Sequence, residues 1–481
     1  MSSTSQKHPG DTPVEARPPK YLNSSKEKED PEAQEVISSP KRTRFWILRL
    51  GACLFVACLW LLHHKLVVHR KLGERKSHDS AGSPKLAHIA CASKGQGIRH
   101  HPTSGAYTLH NSPKPPAGLT LNGCTNWSKA TGETARSLDY AMANFSGFSV
   151  DSGLIFVSTG DSHGHLRVSQ AIDGSTRNGE AQVTVHIMDK AQYRSYLDVV
   201  KVCKISRGDG SVGVGIFSPK IDGSDAGAPI IQVYVQLPPP VEASKVLEVP
   251  LLEIDMPLFS QSLGFSAMER KVSFQSLRLK AAERDVRADH ITADNLAIST
   301  VNGRIEGSFD VYSSLAVETE TGAIDTSLGL HNIGTDRATR VDMRSTKGSV
   351  RMEAWLMSRP QFPSGRNYSV TLAAAKGNVM AHVTDTEGTA ALRLDVAGGI
   401  VDTRLRTGFH GNFHVLPTET VSSTLIPRVY TQAPSDQHQI VAEYSKDNLT
   451  VEGLVSWPGM RGSSSSVNIQ YSESAHLGLW Y

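Results

Sequence analysis

Cysteine is scarce in this chain, with five residues among 481. Cys53 and Cys58 lie inside an apolar run, and only Cys91, Cys124 and Cys203 follow it. Three cysteines permit at most one internal bridge. A bridge between Cys124 and Cys203 would staple the first β-rich region and leave Cys91 for a contact between chains. No cysteine spacing matches a zinc or redox motif, which excludes cysteine-based sites of those two kinds.

An excess of charge of either sign is also missing. The chain has 50 Lys and Arg residues against 47 Asp and Glu residues, a net charge of +3. No basic face is implied, so nucleic acid is not an expected partner. Catalytic signatures are missing as well: there is no G-x-S-x-G, no glycine-rich phosphate loop and no Asp-x-Asp motif. We therefore assign no catalytic, cofactor-binding or metal-binding residue, and the missing signatures argue against an enzyme.

What the chain does have is a short pattern that recurs through residues 277–401. Relative to a glycine, aliphatic residues stand at −7 and −5, a small or apolar residue at −3, and an aliphatic residue at +2. Such period-two alternation is typical of β-strands, because successive side chains point to opposite faces. A degenerate first copy has Arg284 at the glycine position. The five full copies are centred on Gly303, Gly322, Gly348, Gly377 and Gly399.

The glycines fall between alternating runs, where the chain turns, and we expect them to adopt positive φ. They recur at spacings of about 19 to 29 residues, which is typical of stacked units that cannot bury their apolar faces alone. The sequence therefore predicts an all-β fold: a β-solenoid-like repeat domain, preceded by an irregular β-rich region, with one N-terminal transmembrane helix. The alternative is a run of ordinary hairpins in an antiparallel sandwich.

The repeat resembles the adhesin-type β-strand repeat domains of unknown function found in bacteria. The similarity covers about a quarter of the chain and lies in the unit STVNGRIEG and its counterparts ETETGAIDT, RSTKGSVRM, AAAKGNVMA and VAGGIVDTR. The whole chain also resembles uncharacterised single-pass membrane proteins of filamentous fungi. Neither family carries a catalytic motif that could be transferred to these residues. The adhesin-type resemblance therefore implies an adhesion-like surface role by analogy of fold alone.

Composition divides the rest of the chain into further segments. Residues 1–44 are rich in Ser, Pro, Lys and Glu, which predicts a disordered cytoplasmic tail. The apolar residues 45–67 predict a transmembrane helix in contact with membrane lipid, and 68–118 predict a stalk. The expected β segments are the irregular region 119–268, the solenoid repeats 269–408, and a C-terminal β region with a cap, 409–481.

Two signals disagree on the side of the membrane that the C-terminal part occupies. Basic residues are more numerous behind the apolar segment than in front of it, and the positive-inside rule then favours a cytoplasmic C-terminal part. Four N-x-[ST] sequons behind the segment favour the secretory lumen or the cell exterior. We expect the second arrangement. The predicted glycosylation sites are Asn126, Asn144, Asn367 and Asn448.

One polar group has the composition of a metal site. Asp161, His163 and His165 form an Asp-x-His-x-His sequence, and these are residue types that ligate zinc. A fourth ligand is missing, so polar turn chemistry is the better explanation.

A second polar group precedes the repeats. Asp285, Asp289, His290 and Asp294 lie within ten residues of one another. Two carboxylates at a defined separation hydrolyse glycosidic bonds. Their alternation fits a solvated strand face equally well.

These observations lead to three functional hypotheses. The favoured one is a single-pass membrane glycoprotein whose lumenal or extracellular β-solenoid domain binds a glycan or a surface protein, since long ladder faces suit polymers. The second is a membrane-anchored β-helix enzyme that acts on cell-wall polysaccharide through carboxylates such as Asp289 and Asp294. The third is a cytosol-facing scaffold, which the distribution of basic residues permits.

Overall fold

The computed structural model describes residues 115–125, 140–171, 179–188, 194–197, 199–219, 229–240, 242, 245–265, 272–332, 337–358, 366–385, 390–406, 409–418, 427–431, 439–445, 447, 449–456 and 465–480. All of them belong to one compact unit spanning 102–481. They are almost entirely extended. The exceptions are one 3-10 turn, Val150–Ser152, and one helical turn, Arg194–Leu197.

The strands are numbered in chain order. The N-terminal group is β1 (Leu119–Cys124), β2 (Tyr140–Ser149), β3 (Leu154–Thr159), β4 (His163–Gln170), β5 (Glu180–Met188), β6 (Lys201–Arg207), β7 (Val212–Phe217), β8 (Ile230–Leu237), β9 (Leu247–Asp255) and β10 (Phe259–Gly264). The central group is β11 (Val272–Lys280), β12 (Val286–Thr300), β13 (Ile305–Thr319), β14 (Ile324–Asn332), β15 (Thr339–Ser345), β16 (Val350–Ser358), β17 (Asn367–Ala374), β18 (Val379–Asp385) and β19 (Ala391–Arg406). The C-terminal group is β20 (Gly411–Pro417), β21 (Arg428–Thr431), β22 (Gln439–Tyr444), β23 (Val451–Ser456) and β24 (Ser465–Trp480).

Hydrogen-bond pairing arranges these strands in two long ladders, here called face A and face B. Face A runs in the order β6, β7, β3, β9, β11, β12, β13, β15, β17, β19, β24, β20, β23 and β22, with β1 beside β6. Face B runs in the order β2, β5, β8, β4, β10, β12, β13, β14, β16, β18, β19, β24 and β21. Pairing is parallel through the middle of both ladders, and the antiparallel pairs lie near their ends.

The predicted fold class, with its β-solenoid-like domain, is wrong. Four long strands, β12, β13, β19 and β24, belong to both faces, so one corner is a bend inside a strand and not a turn. Pairing from β13 through β14, β16, β18, β19, β17 and β15 returns to β13. These seven parallel strands therefore form a closed ring, because a bent strand carries its hydrogen bonds around the corner from one face to the other.

The predicted irregular β-rich region, 119–268, is also not separate from the repeats. Strands β3 and β9 pair in parallel on face A, and β4 and β10 do so on face B. Strands β9 and β10 then continue the same ladders into β11 and β12. Residues from Ala141 to Leu479 share one buried apolar cluster. Loops of unequal length hide this continuity in the sequence, although strand register follows the alternation of side chains.

The predicted transmembrane helix, residues 45–67, lies outside the described residues, as does the predicted tail, 1–44. Within the part of the chain that the structure describes, no helix is long and apolar enough to cross a membrane.

The repeat residues line the interior between the two faces. The residues at −7 and −5 from the repeat glycine lie on face A, and the residue at +2 lies on face B. The side chains at all three positions are buried. Leu296 pairs with Leu315, and Leu315 pairs with Val341, so aliphatic residues stack from strand to strand. This stacking removes a continuous apolar strip from water, which is the main force that holds the two faces together.

The turn glycines are required for a reason other than the expected one. The φ angles of Gly303, Gly322, Gly348, Gly377 and Gly399 are all outside the left-handed region. A Cβ on Gly322 would instead lie 1.8 Å from the carbonyl oxygen of Gly303, and one on Gly348 would lie 1.9 Å from that of Gly322. Each turn therefore rests directly on the backbone of the preceding turn, which leaves no room for a side chain.

Hydroxyl groups three residues before the glycines complete these turns. The Gly322 amide donates to Thr319 Oγ1 at 3.1 Å, and the Gly348 amide donates to Ser345 Oγ at 2.8 Å. Ser345 Oγ also donates to the Gly322 carbonyl at 3.0 Å. Position −3 is therefore a buried polar link between successive turns in these copies, a role that its small size alone did not indicate.

The fifth repeat copy has no turn of this kind. Leu392 pairs with Tyr368, and Leu394 pairs with Val370, so the copy is shifted by two residues from the alignment that the glycines suggest. Strand β19 runs unbroken through Gly399, and a Cβ there would have 3.4 Å to the Gly377 oxygen. Gly399 is consequently not equivalent to the other four repeat glycines.

Candidate binding groove

The outer side of face A carries a shallow groove across β9, β11, β12 and β13. One row of outward side chains runs Glu253, Arg278, Ala297 and Ala316. The adjacent row runs Asp255, Lys280, Ser299 and Glu318. These residues line a cavity of about 290 Å³.

Small side chains form the floor of the groove. Ala297, Ser299 and Ala316 occupy three of four adjacent positions of β12 and β13, and Glu318 occupies the fourth. Arg278 and Lys280 rise on one side, and the next strand, β15, places Asp342 and Arg344 on the other. Three strand spacings separate β11 from β15, or about 14 Å between backbones. This width admits a single extended chain between the two rims.

The charged side chains of the rims are paired with one another. Lys280 Nζ lies 3.2 Å from Asp255 Oδ2, and Arg207 Nη1 lies 3.1 Å from Glu253 Oε1. On the opposite rim Asp342 accepts two hydrogen bonds of 2.8 Å from Arg344, which raise the pKa of that guanidinium. The groove therefore presents donors and acceptors of both signs without a large net field.

One acceptor in the wall is incompletely satisfied. Glu253 Oε2 is buried and accepts no hydrogen bond from a described residue. Arg278 Nη1 lies 3.8 Å from this oxygen, on an exposed side chain. Glu253 and Arg278 both line the groove. A hydroxyl donor that reached this oxygen would remove the cost of a buried, unsatisfied acceptor.

The group Asp161, His163 and His165 does not assemble into a metal site. His163 and His165 lie on the outer side of β4, beside Ile230 and Gln232 of β8. His165 Nδ1 forms a hydrogen bond with Ser260 Oγ. Among the described residues, no three His, Cys, Asp or Glu side chains are grouped so that they could hold a metal ion.

The carboxylates that precede the repeats are dispersed. Asp289 lines a second cavity of about 290 Å³ on face B, together with Glu306, Asp325 and Glu353. Asp294 lies at a corner bulge of β12, where burial, and then the charge of Glu248, raise its pKa.

The other two members of that group have structural positions. Asp285 Oδ1 accepts a hydrogen bond from the Arg304 amide at 3.0 Å. His290 lies at the other bulge of β12, with φ of 54°. The bulges at these positions, which the sequence did not reveal, turn the carboxylates away from one shared strand face.

The predicted disulfide and glycosylation residues are only partly within the described chain. Cys124 and Cys203 are joined by a disulfide that links β1 to β6. Asn144 is exposed on β2, and Asn367 is half-buried at the start of β17. Asn126 and Asn448 lie outside the described residues.

The sequence contained one signal for the groove, at outward positions that are not part of the repeat pattern. Outward positions −6 and −4 hold Ala297 and Ser299 in the first full copy, and Ala316 and Glu318 in the second. The third copy has Asp342 and Arg344 at the same positions. A change from small to large outward residues along a ladder marks the floor and rim of a depression.

Comparison with solved structures found three similar chains, among them two candidate adhesion proteins. No family model and no curated protein matches the chain. A candidate adhesin from Parabacteroides distasonis is 9% identical over 56% of this chain and 94% of its own, with a TM-score of 0.26. A candidate cell adhesion protein from Clostridium sporogenes is 8% identical over 71% of this chain and 100% of its own, with a TM-score of 0.15. The adhesin-type resemblance of the repeats agrees with both names, and the resemblance to fungal membrane proteins finds no support. At these TM-scores neither likeness carries an argument about function.

Proposed function

We propose that the described β-structure is a binding module of the adhesion-like type, which takes an extended ligand in the groove of face A. The observation that carries the proposal is the floor of small residues, Ala297, Ser299 and Ala316, in a cavity that is also lined by charged side chains. The ligand is a glycan chain or an extended segment of a surface protein. Depressions with a few convergent polar groups are the usual places where such ligands bind.

The chemistry of the rims favours a neutral, hydroxyl-rich ligand. Lys280 with Asp255 and Arg344 with Asp342 are already paired, so a ligand with a net charge would gain little. Ligand hydroxyls can donate to Glu253 and accept from Lys280, while the methyl groups of Ala297 and Ala316 contact the apolar side of a sugar ring. We therefore rank a glycan above a peptide.

An Ala316→Trp substitution tests the groove. The indole would fill the floor, and we expect at least a tenfold loss of affinity, about 1.4 kcal/mol. The full-length protein would be assayed against immobilised chitohexaose, cellohexaose, laminarihexaose and polygalacturonate. Ala373→Trp is the matched control, since Ala373 lies on the same face but two strands beyond Glu318. Equal binding by Ala316→Trp and the wild-type protein would contradict the proposal, and so would an equal loss in both variants.

The same proposal assigns the protein to a membrane, as a single-pass glycoprotein with a cytoplasmic N-terminal tail and a lumenal or extracellular β-structure. The apolar residues 45–67 are the proposed anchor. The Cys124–Cys203 disulfide supports an oxidising compartment, where such bonds form and persist. The exposed Asn144 supports access for the glycosylation machinery.

A glycosidase mobility shift tests the compartment. The full chain would be expressed in a glycosylating cell, and Asn126, Asn144, Asn367 and Asn448 replaced by Gln in turn. We expect a shift on glycosidase treatment that shrinks with these replacements. A chain that carries no glycan at any of the four positions would count against the lumenal arrangement and in favour of a cytosol-facing scaffold.

A further inference from the structure

The N-terminal end of face B presents exposed apolar and aromatic side chains on its outer surface. Outward residues of β2, β5 and β8 stand in register there: Asn144 beside Thr184 beside Tyr234, and Met142 beside His186 beside Gln232. We call Met142, Thr184, His186, Gln232 and Tyr234 the tyrosine platform. Met142 is 46% exposed and Tyr234 is 40% exposed. A large part of the apolar surface of this platform is therefore open to water.

Contacts within the platform hold the Tyr234 ring in place. Its hydroxyl donates to Gln232 Oε1 at 2.9 Å. The His186 ring lies against it, with centroids 5.3 Å apart and planes inclined by 59°. Because these neighbours fix the ring, its exposed side can bind a flat apolar surface without a further loss of side-chain freedom.

Asn144 stands in one row with Thr184 and Tyr234, which brings a glycan on its side chain within reach of this ring. Thr184 Oγ1 donates to Asn144 Oδ1 at 2.9 Å, which fixes the carboxamide by its oxygen. The other arm of the carboxamide, Nδ2, is the atom that carries an N-linked glycan. Two strand spacings, about 10 Å, separate the Asn144 backbone from that of Tyr234. A disaccharide spans this distance.

We propose that the glycan on Asn144 lies across β5 and β8 and packs its first N-acetylglucosamine units on the tyrosine platform. A lipid-linked oligosaccharide diphosphate supplies the sugar: Nδ2 loses a proton and bonds to C1, and the diphosphate leaves. The C–H face of the sugar then covers the Tyr234 ring and the Met142 side chain, as apolar surfaces do against aromatic rings. This inference rests on the lumenal location in the proposed function. It assigns this end of face B to the protein's own glycan and leaves the groove of face A for ligands.

Hydroxyl-radical footprinting of the full-length protein from glycosylating cells tests the inference. Oxidation of Met142 and Tyr234 would be compared among the wild-type protein, its enzymatically deglycosylated form, and Asn144→Gln. Mass spectrometry would record occupancy at each sequon. Met357 and Tyr444 are the internal controls, because they are 39% and 47% exposed and lie on other strands. The deglycosylated form avoids dependence on a variant that fails to fold.

We expect oxidation of Met142 and Tyr234 to rise several-fold when the Asn144 glycan is removed, while Met357 and Tyr444 stay unchanged in Asn144→Gln. Equal oxidation with and without an occupied Asn144 would overturn the inference. An unoccupied Asn144 beside occupied sites elsewhere would overturn it as well, and would leave the proposed function intact. Absence of glycan from every sequon would instead remove the lumenal location on which both depend.

Discussion

Gly322 shows, at the scale of a residue, how closely successive turns approach in this protein. Its Cα faces the carbonyl oxygen of Gly303, and its own carbonyl faces Gly348 in the same way. The Gly322 carbonyl also accepts a hydrogen bond from Ser345 Oγ. One residue is thus in contact with the turn before it and the turn after it. A side chain at this point would have to push two turns apart.

We therefore expect Gly322→Ala to lower the free energy of unfolding by roughly 1–3 kcal/mol, the usual cost of overpacking a tight site. Urea unfolding monitored by circular dichroism would measure it. Gly264→Ala is the control, since a Cβ on Gly264 meets no atom within 4 Å. The stability of the control should change by about 0.5 kcal/mol or less. Similar effects of the two substitutions would rule out the steric explanation.

At the scale of an element, the rows of side chains on neighbouring strands determine which charged groups surround a titratable residue. On face B, Glu353 of β16, His382 of β18 and Arg404 of β19 stand in one row. Gly478 of β24 comes next and has no side chain, so Tyr430 of β21 reaches across it to hydrogen-bond Arg404. His382 Nε2 is buried in this row and has no hydrogen-bond partner among the described residues.

Burial lowers the pKa of His382 below its ordinary value of 6.5. The charge of the nearby Arg404 also lowers this pKa, whereas the charges of Asp402 and Glu353 raise it. The unfolded chain then binds a proton near pH 6.5, whereas the folded protein binds it only at lower pH. The contribution of His382 to stability is therefore fully present above pH 6.5 and decreases as the pH falls through the folded pKa.

His382→Gln should consequently make the thermal midpoint less sensitive to pH between about 6.5 and 5 than it is in the wild-type protein. Calorimetry at closely spaced pH values would compare the two slopes. Identical slopes would mean that the buried imidazole does not titrate differently in the folded and unfolded chains.

At the scale of the whole molecule, the strands at the ends of the ladders pair differently from those in the middle. Strands β1 and β6 at one end, and β23 and β22 at the other, pair in an antiparallel manner with their neighbours. The exposed strand β1 is held in place partly by the Cys124–Cys203 bond, which spans 79 residues of sequence. A cross-link over so long a segment restricts the unfolded chain strongly.

We expect Cys124→Ser to destabilise the fold by about 2–4 kcal/mol, and to open β1 and β6 to protease before the central strands. Limited proteolysis and thermal unfolding would measure the two effects. Reductant should reproduce the loss in the wild-type protein and should leave the variant unchanged. A variant as resistant as the wild-type protein would show that the bond adds nothing to this end of the structure.

The alternation of aliphatic and polar residues was enough to predict strands and the side of each strand that is buried. Leu296, Leu315 and Val341 show why, because the direction of a side chain in a strand depends only on its position in the alternation. The groove on face A could be predicted only in part. Ala297 and Ala316 are visibly small, but their neighbours Arg278 and Glu253 come from strands whose order the sequence does not state.

The sequence by itself thus determined that this chain forms strands, which residues lie in its core and where its first four repeat turns fall, since all of these follow from local periodicity. Only the tertiary structure decided that bent strands close seven neighbours into a ring, and that the region before the repeats joins the same ladders. Only the tertiary structure decided, too, that the glycines serve close backbone contact. The physical reason is that strand order, bending and contact between turns depend on pairing between residues far apart in the chain, which alternation within a single strand does not specify.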